Sequence, residues 1–360
     1  MKVLLIGPMP NPITGVSLAN KVVVDYLSTF HENVRIDFIN TNFNIVEEKE
    51  KIGRLSLKKG LFYFRLYKYV GRIRKYDKIY ITTGQTFFGV LKYFIFFLIA
   101  KFYSKELIVH IHGNHVWKEY TELLGLKRKI FFKTLSMADK GIVLSESLRK
   151  NLSPFIPNDK IFVLNNFVED YLISESIRKE NNKLNIVFLS NLMREKGILD
   201  LLETLILLKS EGVAFKAKIA GGIDESMQDV LEDYFIKLKG YVEYQNVIVG
   251  NEKKSLLNWG NVFVLPTKFD EGQPISILEA MSTGNIILTT KKGGIIDIFE
   301  EGVNGFYIKE NSPKSILSAL LKINHNIKNY EYISVHNFKE AKKKYRVQNF
   351  IDNLHNIFRE

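Results

Sequence analysis

The chain has no cysteine in 360 residues. That excludes disulfides and cysteine-based metal sites, and it favours a reducing compartment. Long apolar runs are missing as well. The most hydrophobic stretch, FFGVLKYFIFFLIAKFY at 87–103, carries Lys92 and Lys101 inside it and falls short of the ~20 residues that span a bilayer. A buried or interface-lying helix is expected there. The opening run VLLIG at 3–7 is too short for the apolar region of a signal peptide and reads as a first strand. No GxGxxG follows that strand, which leaves nicotinamide dinucleotide binding without support. The chain also has no Asp-x-Asp pair, no internal repeat and no low-complexity tract.

What is present describes two domains. Hydrophobic residues make up 46% and charged residues 25% of the chain, an ordinary globular balance, and the length suits two domains of ~100–200 residues each. Apolar strand-like runs alternate with helical patterns: 2–6, 34–40, 79–84, 106–113, 141–145 and 160–166, then 184–190, 216–222, 247–251 and 262–265. That alternation predicts an α/β protein with two parallel, doubly wound sheets. Between the halves, EDYLISESIRKENNK at 169–183 is polar and charged and reads as a linker. The formal net charge of +12 favours an acidic partner: a nucleic acid, an anionic membrane or a nucleotide. Much of it sits in 51–78, where ten Lys/Arg face a single Asp and interleave with Phe62, Tyr63, Phe64, Tyr67, Tyr69 and Tyr76. This spacing predicts a basic amphipathic helix interrupted by Gly60. It suits either an anionic lipid surface or an ordinary solvated face over an aromatic core. No recognised nucleic-acid module accompanies the charge, so nucleic acid is not expected as a partner.

The most informative stretch is PTKFDEGQPISILEAMSTG at 266–284. A buried strand ending at Pro266 leads into an acidic, glycine-bearing loop, and a helix is expected with Pro274 as its first residue. Gly284 is expected to end it. Free amides at a helix start attract an anion, most often a phosphate. Glu271 and Glu279 flank that start. Acids beside a phosphate repel it unless they serve hydroxyls, and a sugar nucleotide supplies both the diphosphate and the hydroxyls.

EGQPISILE is similar to the E-x7-E signature of the retaining glycosyltransferases of family 4, the "group 1" glycosyltransferases. The likeness continues through AMSTGNIILTTKKGGIIDIFEEGVNGFYI, with Asp297 where that family commonly has Glu. The resemblance implies a GT-B fold, two Rossmann-like doubly wound domains facing each other across a cleft. Residues 1–170 would form an acceptor-side domain, 184–345 a nucleotide-sugar-binding domain, and a helix at about 346–360 would pack back on the first. The implied reaction moves a sugar from a nucleoside diphosphate sugar, UDP- or GDP-linked, to a hydroxyl of a glycan or lipid-linked acceptor, with retention of anomeric configuration. The basic aromatic stretch suggests extension of a lipid-linked glycan at a membrane surface, as in bacterial surface polysaccharide assembly, so the expected location is cytoplasmic, either free or peripheral on the inner face of the plasma membrane.

The resemblance also implies roles residue by residue. His112 follows the strand ELIVHIHG and would approach the transferred sugar. Lys196-Gly197 matches the family's Lys-Gly, and Lys196 would neutralise the diphosphate. The expected Arg position holds Asn191, and Arg194 either replaces it or points away. Glu271 would bind sugar hydroxyls and Glu279 the ribose. Gly15 is either a turn residue or the glycine that lets the first loop approach a ligand. Gly250 and Asn251 would lie near the base, and Gly272, Gln273, Pro274 and Ile275 around the phosphates. With no Asp-x-Asp, no metal is expected to hold the diphosphate. The rival readings are a sugar-nucleotide epimerase of the same architecture, active without acceptor, and a non-catalytic basic binding protein.

Overall fold

The structure, a computed structural model, describes residues 1–42, 64–173, 176, 177, 179 and 183–360. They form two units: Met1–Asn166 with Gln348–Glu360, and Phe167–Val347.

The first unit is built on β1 (Lys2–Gly7), β2 (Arg35–Asn40), β3 (Lys78–Thr82), β4 (Glu106–Ile111), β5 (Lys140–Val143) and β6 (Ile161–Val163). All pair in parallel, in the order β2-β1-β3-β4-β5-β6. Val3, Leu4, Leu5 and Ile6 are all buried, because a parallel sheet is covered on both faces and its strands read as continuous apolar runs. The helix Gly15–Phe30 starts from a capping box in which Thr14 and Ser17 satisfy each other's amides. The final helix, Val347–Arg359, joins this unit: Phe358 sets its ring edge against Tyr80 at 5.5 Å, and Lys140 Nζ donates to the Ile357 carbonyl at 3.0 Å.

Two sequence expectations change here. The apolar stretch 87–103 is two helices, Phe87–Leu91 and Phe94–Phe102. The chain bends where Tyr93 is buried and its hydroxyl lies 2.9 Å from Thr41 Oγ1. Among the described residues no helix is long and apolar enough to cross a membrane. Of the expected basic helix, residues 51–63 lie outside the described residues. Residues 64–66 make a short turn of helix that leads into a tighter 3-10 helix, Tyr67–Lys75, and Lys78 is already in β3. The tightening turns Ile73 inward, and Tyr67 packs its ring 5.8 Å from Phe96.

The second unit holds β7 (Leu184–Leu189), β8 (Phe215–Ala220), β9 (Val242–Tyr244), β10 (Val262–Leu265), β11 (Ile286–Thr289) and β12 (Gly305–Tyr307). These too are parallel, ordered β12-β11-β10-β7-β8-β9. The strand expected at 247–251 is instead a loop, and Gly250 begins the helix Gly250–Trp259. The edge strand is the less apolar VEY before it, while Val247 and Val249 stand exposed. The helix Ile275–Ser282 ends as the sequence requires. Gly284 takes φ +72, its N–H bonds the Met281 carbonyl, and the Asn285 N–H reaches Ala280, which is a Schellman termination.

Strand order reverses between β1 and β3 in the first unit and between β7 and β10 in the second. Loops leaving the carboxyl ends of strands at such a reversal diverge, and the crevice between them is where open α/β sheets bind ligands.

Candidate active site

In the second unit the loops after β7 and β10 meet at this reversal. The Glu195 carbonyl accepts from the backbone N–H of Lys268 at 2.7 Å and of Phe269 at 3.1 Å. Gly197 makes the approach possible: it has φ +77, and a Cβ there would lie 2.1 Å from the Pro266 carbonyl oxygen. The contact aims Lys196 across the reversal. Its ammonium lies 2.7 Å from Glu271 Oε1, and Thr267 Oγ1 donates to the same oxygen at 2.7 Å. The backbone of Glu271 is held by Gly293 and Gly294 from the loop after β11. The Gly294 N–H donates to the Glu271 carbonyl at 3.2 Å, and a Cβ on Gly293 would meet that oxygen at 1.8 Å. Lys196 also lies 4.6 Å from the centre of the Phe269 ring.

Pro274 caps the following helix rather than opening it. Its φ of −63 and ψ of 115 leave it extended, and Ile275 is the first helical residue. The Ile277 N–H turns back to the Pro274 carbonyl at 3.2 Å, so proline contributes an acceptor here as well as its rigid φ. The Pro274 side chain makes no capping hydrogen bond at this helix start. Gly272 and Gln273 are buried in the loop before it, and Ile275 is half-buried.

Glu279, on the same helix, is buried against Lys253 of the helix Gly250–Trp259, with the ammonium 2.5 Å from Oε1. Lys253 also faces Glu169 at 3.5 Å and the Tyr171 ring at 6.0 Å. Burial pushes the Glu279 carboxyl up, against the pull of Lys253. Burial also opposes the charge on Lys253, but Glu279, Tyr171 and Glu169 outweigh it and raise its pKa. Sequence reasoning missed Lys253. The one available signal was its place three residues after Gly250, on the helix that the Gly-Asn turn starts.

The remaining residues named from the sequence are less closely gathered. Arg194 is exposed, with no side-chain hydrogen bond or ion pair among the described residues, and Asn191 is exposed beside it. Gly250, at φ +57, has open space around it. Asp297 is exposed in the turn after β11. No group of three or more His, Cys, Asp or Glu that could hold a metal occurs among the described residues.

In the first unit, His112 lies immediately past the end of β4. Its ring centre is 3.9 Å from that of His110, and neither of its buried ring nitrogens has a hydrogen-bond partner. Burial lowers its pKa to about 3, so the imidazole is neutral at pH 7. His110 differs in that its Nδ1 is 2.5 Å from the Tyr80 hydroxyl. The loop after His112 is pinned by Gln85, whose Oε1 accepts the His115 N–H at 2.6 Å. Gly15 is the exposed first residue of the helix that follows the β1 loop.

Two doubly wound parallel sheets with polar side chains gathered at a strand-order reversal define the class: the chain has a two-domain α/β GT-B fold. Its likeness to solved structures spans whole chains. Anabaena HepE, crystallised with UDP, superposes with a TM-score of 0.75 at 14% identity, covering 100% of both chains. Sucrose-phosphate synthase from Thermosynechococcus elongatus gives a TM-score of 0.77 at 13% identity, covering 100% of this chain and 98% of that one.

More particularly, residues 171–345 match the family model described as glycosyl transferases group 1. Several curated relatives are named glycosyltransferases of capsular polysaccharide, amylovoran or colanic acid biosynthesis. The capsular polysaccharide biosynthesis glycosyltransferase CapM of Staphylococcus aureus is 24% identical over 234 residues, 60% of each chain. The amylovoran biosynthesis glycosyltransferase AmsK of Erwinia amylovora is 27% identical over 180 residues, 46% of this chain and 42% of its own. An Escherichia coli (strain K12) relative named for colanic acid biosynthesis is 28% identical over 172 residues, 46% of this chain and 42% of its own. A Salmonella typhimurium counterpart matches over 40% of this chain and 37% of its own length. The chain therefore spans less than half the length of these last two.

Proposed function

We propose that this chain is a retaining, metal-independent glycosyltransferase that moves a sugar from a nucleoside diphosphate sugar to a hydroxyl of a glycan or lipid-linked acceptor in bacterial surface polysaccharide synthesis. The observation that carries the reading is a pair of buried acids eight positions apart, Glu271 and Glu279, each paired with a largely buried lysine, the first pair at the strand-order reversal. Lys196 and the helix-start amides after Pro274 serve the diphosphate, stabilising charge on the leaving group. Arg194 is the exposed cation free to join them. Glu271 binds hydroxyls of the transferred sugar and Glu279 those of the ribose. Gly272, Gln273 and Ile275 shape the phosphate pocket, Gly250 the base end, Gly15 lets the first loop approach the donor, and His112 approaches the transferred sugar. The UDP crystallised with HepE supports a nucleotide-sugar donor, UDP- or GDP-linked.

A thermal-shift panel of UDP-, GDP- and ADP-sugars tests this, because a ligand stabilises the fold as its concentration exceeds its dissociation constant. One donor is expected to raise the melting temperature, and Glu279→Ala to abolish that rise. No shift with any nucleotide sugar overturns the reading. Interconversion of donors without acceptor would make the chain an epimerase instead.

The same proposal places the protein in the cytoplasm, on the inner face of the membrane. Beyond the basic residues of 51–78, Leu124 and Leu126 are 79% and 72% exposed at the start of the helix Gly125–Leu135, which carries Lys127, Arg128, Lys129 and Lys133. Exposed apolar residues framed by cations suit an anionic lipid interface. Co-sedimentation with vesicles containing phosphatidylglycerol, lost in Leu124→Glu/Leu126→Glu, is the expected result. Equal sedimentation of wild type and variant removes this element.

A further inference from the structure

We propose that Lys253 is a positioning residue of the donor site, holding the buried Glu279 carboxylate ionised and oriented so that it can accept the ribose hydroxyls. This rests on the function proposed above, which assigns the ribose to Glu279 and leaves Lys253 without a role. The geometry is specific. Lys253 occupies Oε1 of Glu279 at 2.5 Å, while Oε2 has no hydrogen-bond partner among the described residues. Glu279 is buried, at 5% exposure, and Lys253 is partly buried, at 13%, so solvent screens the pair far less than it would a surface pair.

The chemistry is set by what a diol needs. Two hydroxyls donate best to a carboxylate, which only accepts, whereas a protonated carboxyl carries a donor of its own. A carboxyl buried as Glu279 is drifts toward its neutral form unless a cation opposes that drift. The titratable groups facing the pair are few. Glu169 and Tyr171 come from the segment that opens the second unit, and Glu169 pushes Glu279 further toward protonation. Lys253 stands between the two carboxylates, 2.5 Å from one and 3.5 Å from the other. Removing its charge leaves two neighbouring acids with no cation between them.

The test is donor affinity against pH for the full chain, using UDP-glucose and GDP-mannose as probes, with wild type, Lys253→Met, Lys253→Arg and Glu279→Gln. Wild type is expected to bind one probe with little change between about pH 6 and about pH 9. Lys253→Met should bind about tenfold more weakly near neutral pH and recover as pH rises and Glu279 ionises. Lys253→Arg should restore the flat profile, and Glu279→Gln should bind weakly at every pH. Wild-type affinity in Lys253→Met, or a loss that ignores pH, overturns the proposal.

A carboxyl-carbon NMR titration of Glu279 in the unliganded protein separates this from failure of the donor assignment. Even if neither probe binds, Glu279 should titrate at higher pH in Lys253→Met than in wild type. An unchanged titration overturns the proposal by itself.

Discussion

His112 has two buried ring nitrogens with no partner, and such groups destabilise a fold unless something outside it completes them. Burial keeps the ring neutral, so it can donate from one nitrogen and accept at the other. His112→Ala is therefore expected to leave the donor-induced thermal shift intact while sugar transfer falls ~10²-fold or more. Equal transfer rates in variant and wild type would remove His112 from the mechanism. Gly197 makes a purely structural prediction. A side chain there meets both the left-handed φ and the Pro266 carbonyl, so Gly197→Ala should cost ~1–3 kcal/mol from backbone strain before the clash is counted, read by urea denaturation. The sequence singled out Glu271, Glu279 and Lys196 through short motifs that resemble a family pattern, and the structure sets Lys196 against Glu271 and puts Glu279 on the helix that follows. Lys253 was not legible in the sequence. Its pairing with Glu279 joins residues 26 apart through the approach of two helices, and nothing local to NEKK announces that approach.

Two helix ends in this chain are set by chemically specific residues. Thr14 and Ser17 fix the start of the helix Gly15–Phe30, and Thr14→Ala should destabilise the first unit by ~1 kcal/mol in the same denaturation assay. Gly284 fixes the end of Ile275–Ser282 through its left-handed backbone. Apolar runs without such marks misled. VIVGN has strand-like composition, yet β8 spends its free edge on Val242–Tyr244, and the bonds that follow, Gln245 N–H to Ile219 and Gly221 N–H to Asn246, end the pairing before Val247. A parallel edge strand is chosen by what reaches the ladder in register, a tertiary fact that local hydrophobicity does not encode. The 87–103 run misled for a related reason: apolar content called for one helix, whereas the chain leaves the helix between Leu91 and Phe94, where the buried Tyr93 hydroxyl bonds Thr41 just past β2.

At the scale of the molecule, the discontinuous first unit carries a pH dependence of its own. His110 and His112 at the end of β4, and His355 on the returning C-terminal helix, all have depressed pKa values. Burial is the leading cause in each, with a neighbouring histidine adding to it for His110 and His355. A histidine depressed in the folded state binds its proton more readily when unfolded. Its contribution to stability is therefore complete above the unfolded value of 6.5 and is lost as pH falls below it. Between about pH 7.5 and about pH 5.5 each fully neutral histidine should withdraw ~1.4 kcal/mol. His110 and His112 dominate, and the more exposed His355 adds less. Glu106 has a lowered pKa, with Lys140 and Lys78 outweighing its burial, but it adds its own loss only below 4.5, outside this window. The chain's two tryptophans fall one in each unit, Trp117 and Trp259, so Trp259→Phe leaves Trp117 as a reporter of the first. Its urea midpoint should drop clearly from about pH 7.5 to about pH 5.5, and His112→Ala should shrink the drop by roughly half. A midpoint that holds steady across that interval would mean these rings take up protons in the folded protein, and the neutral imidazole assigned to His112 would have to be withdrawn.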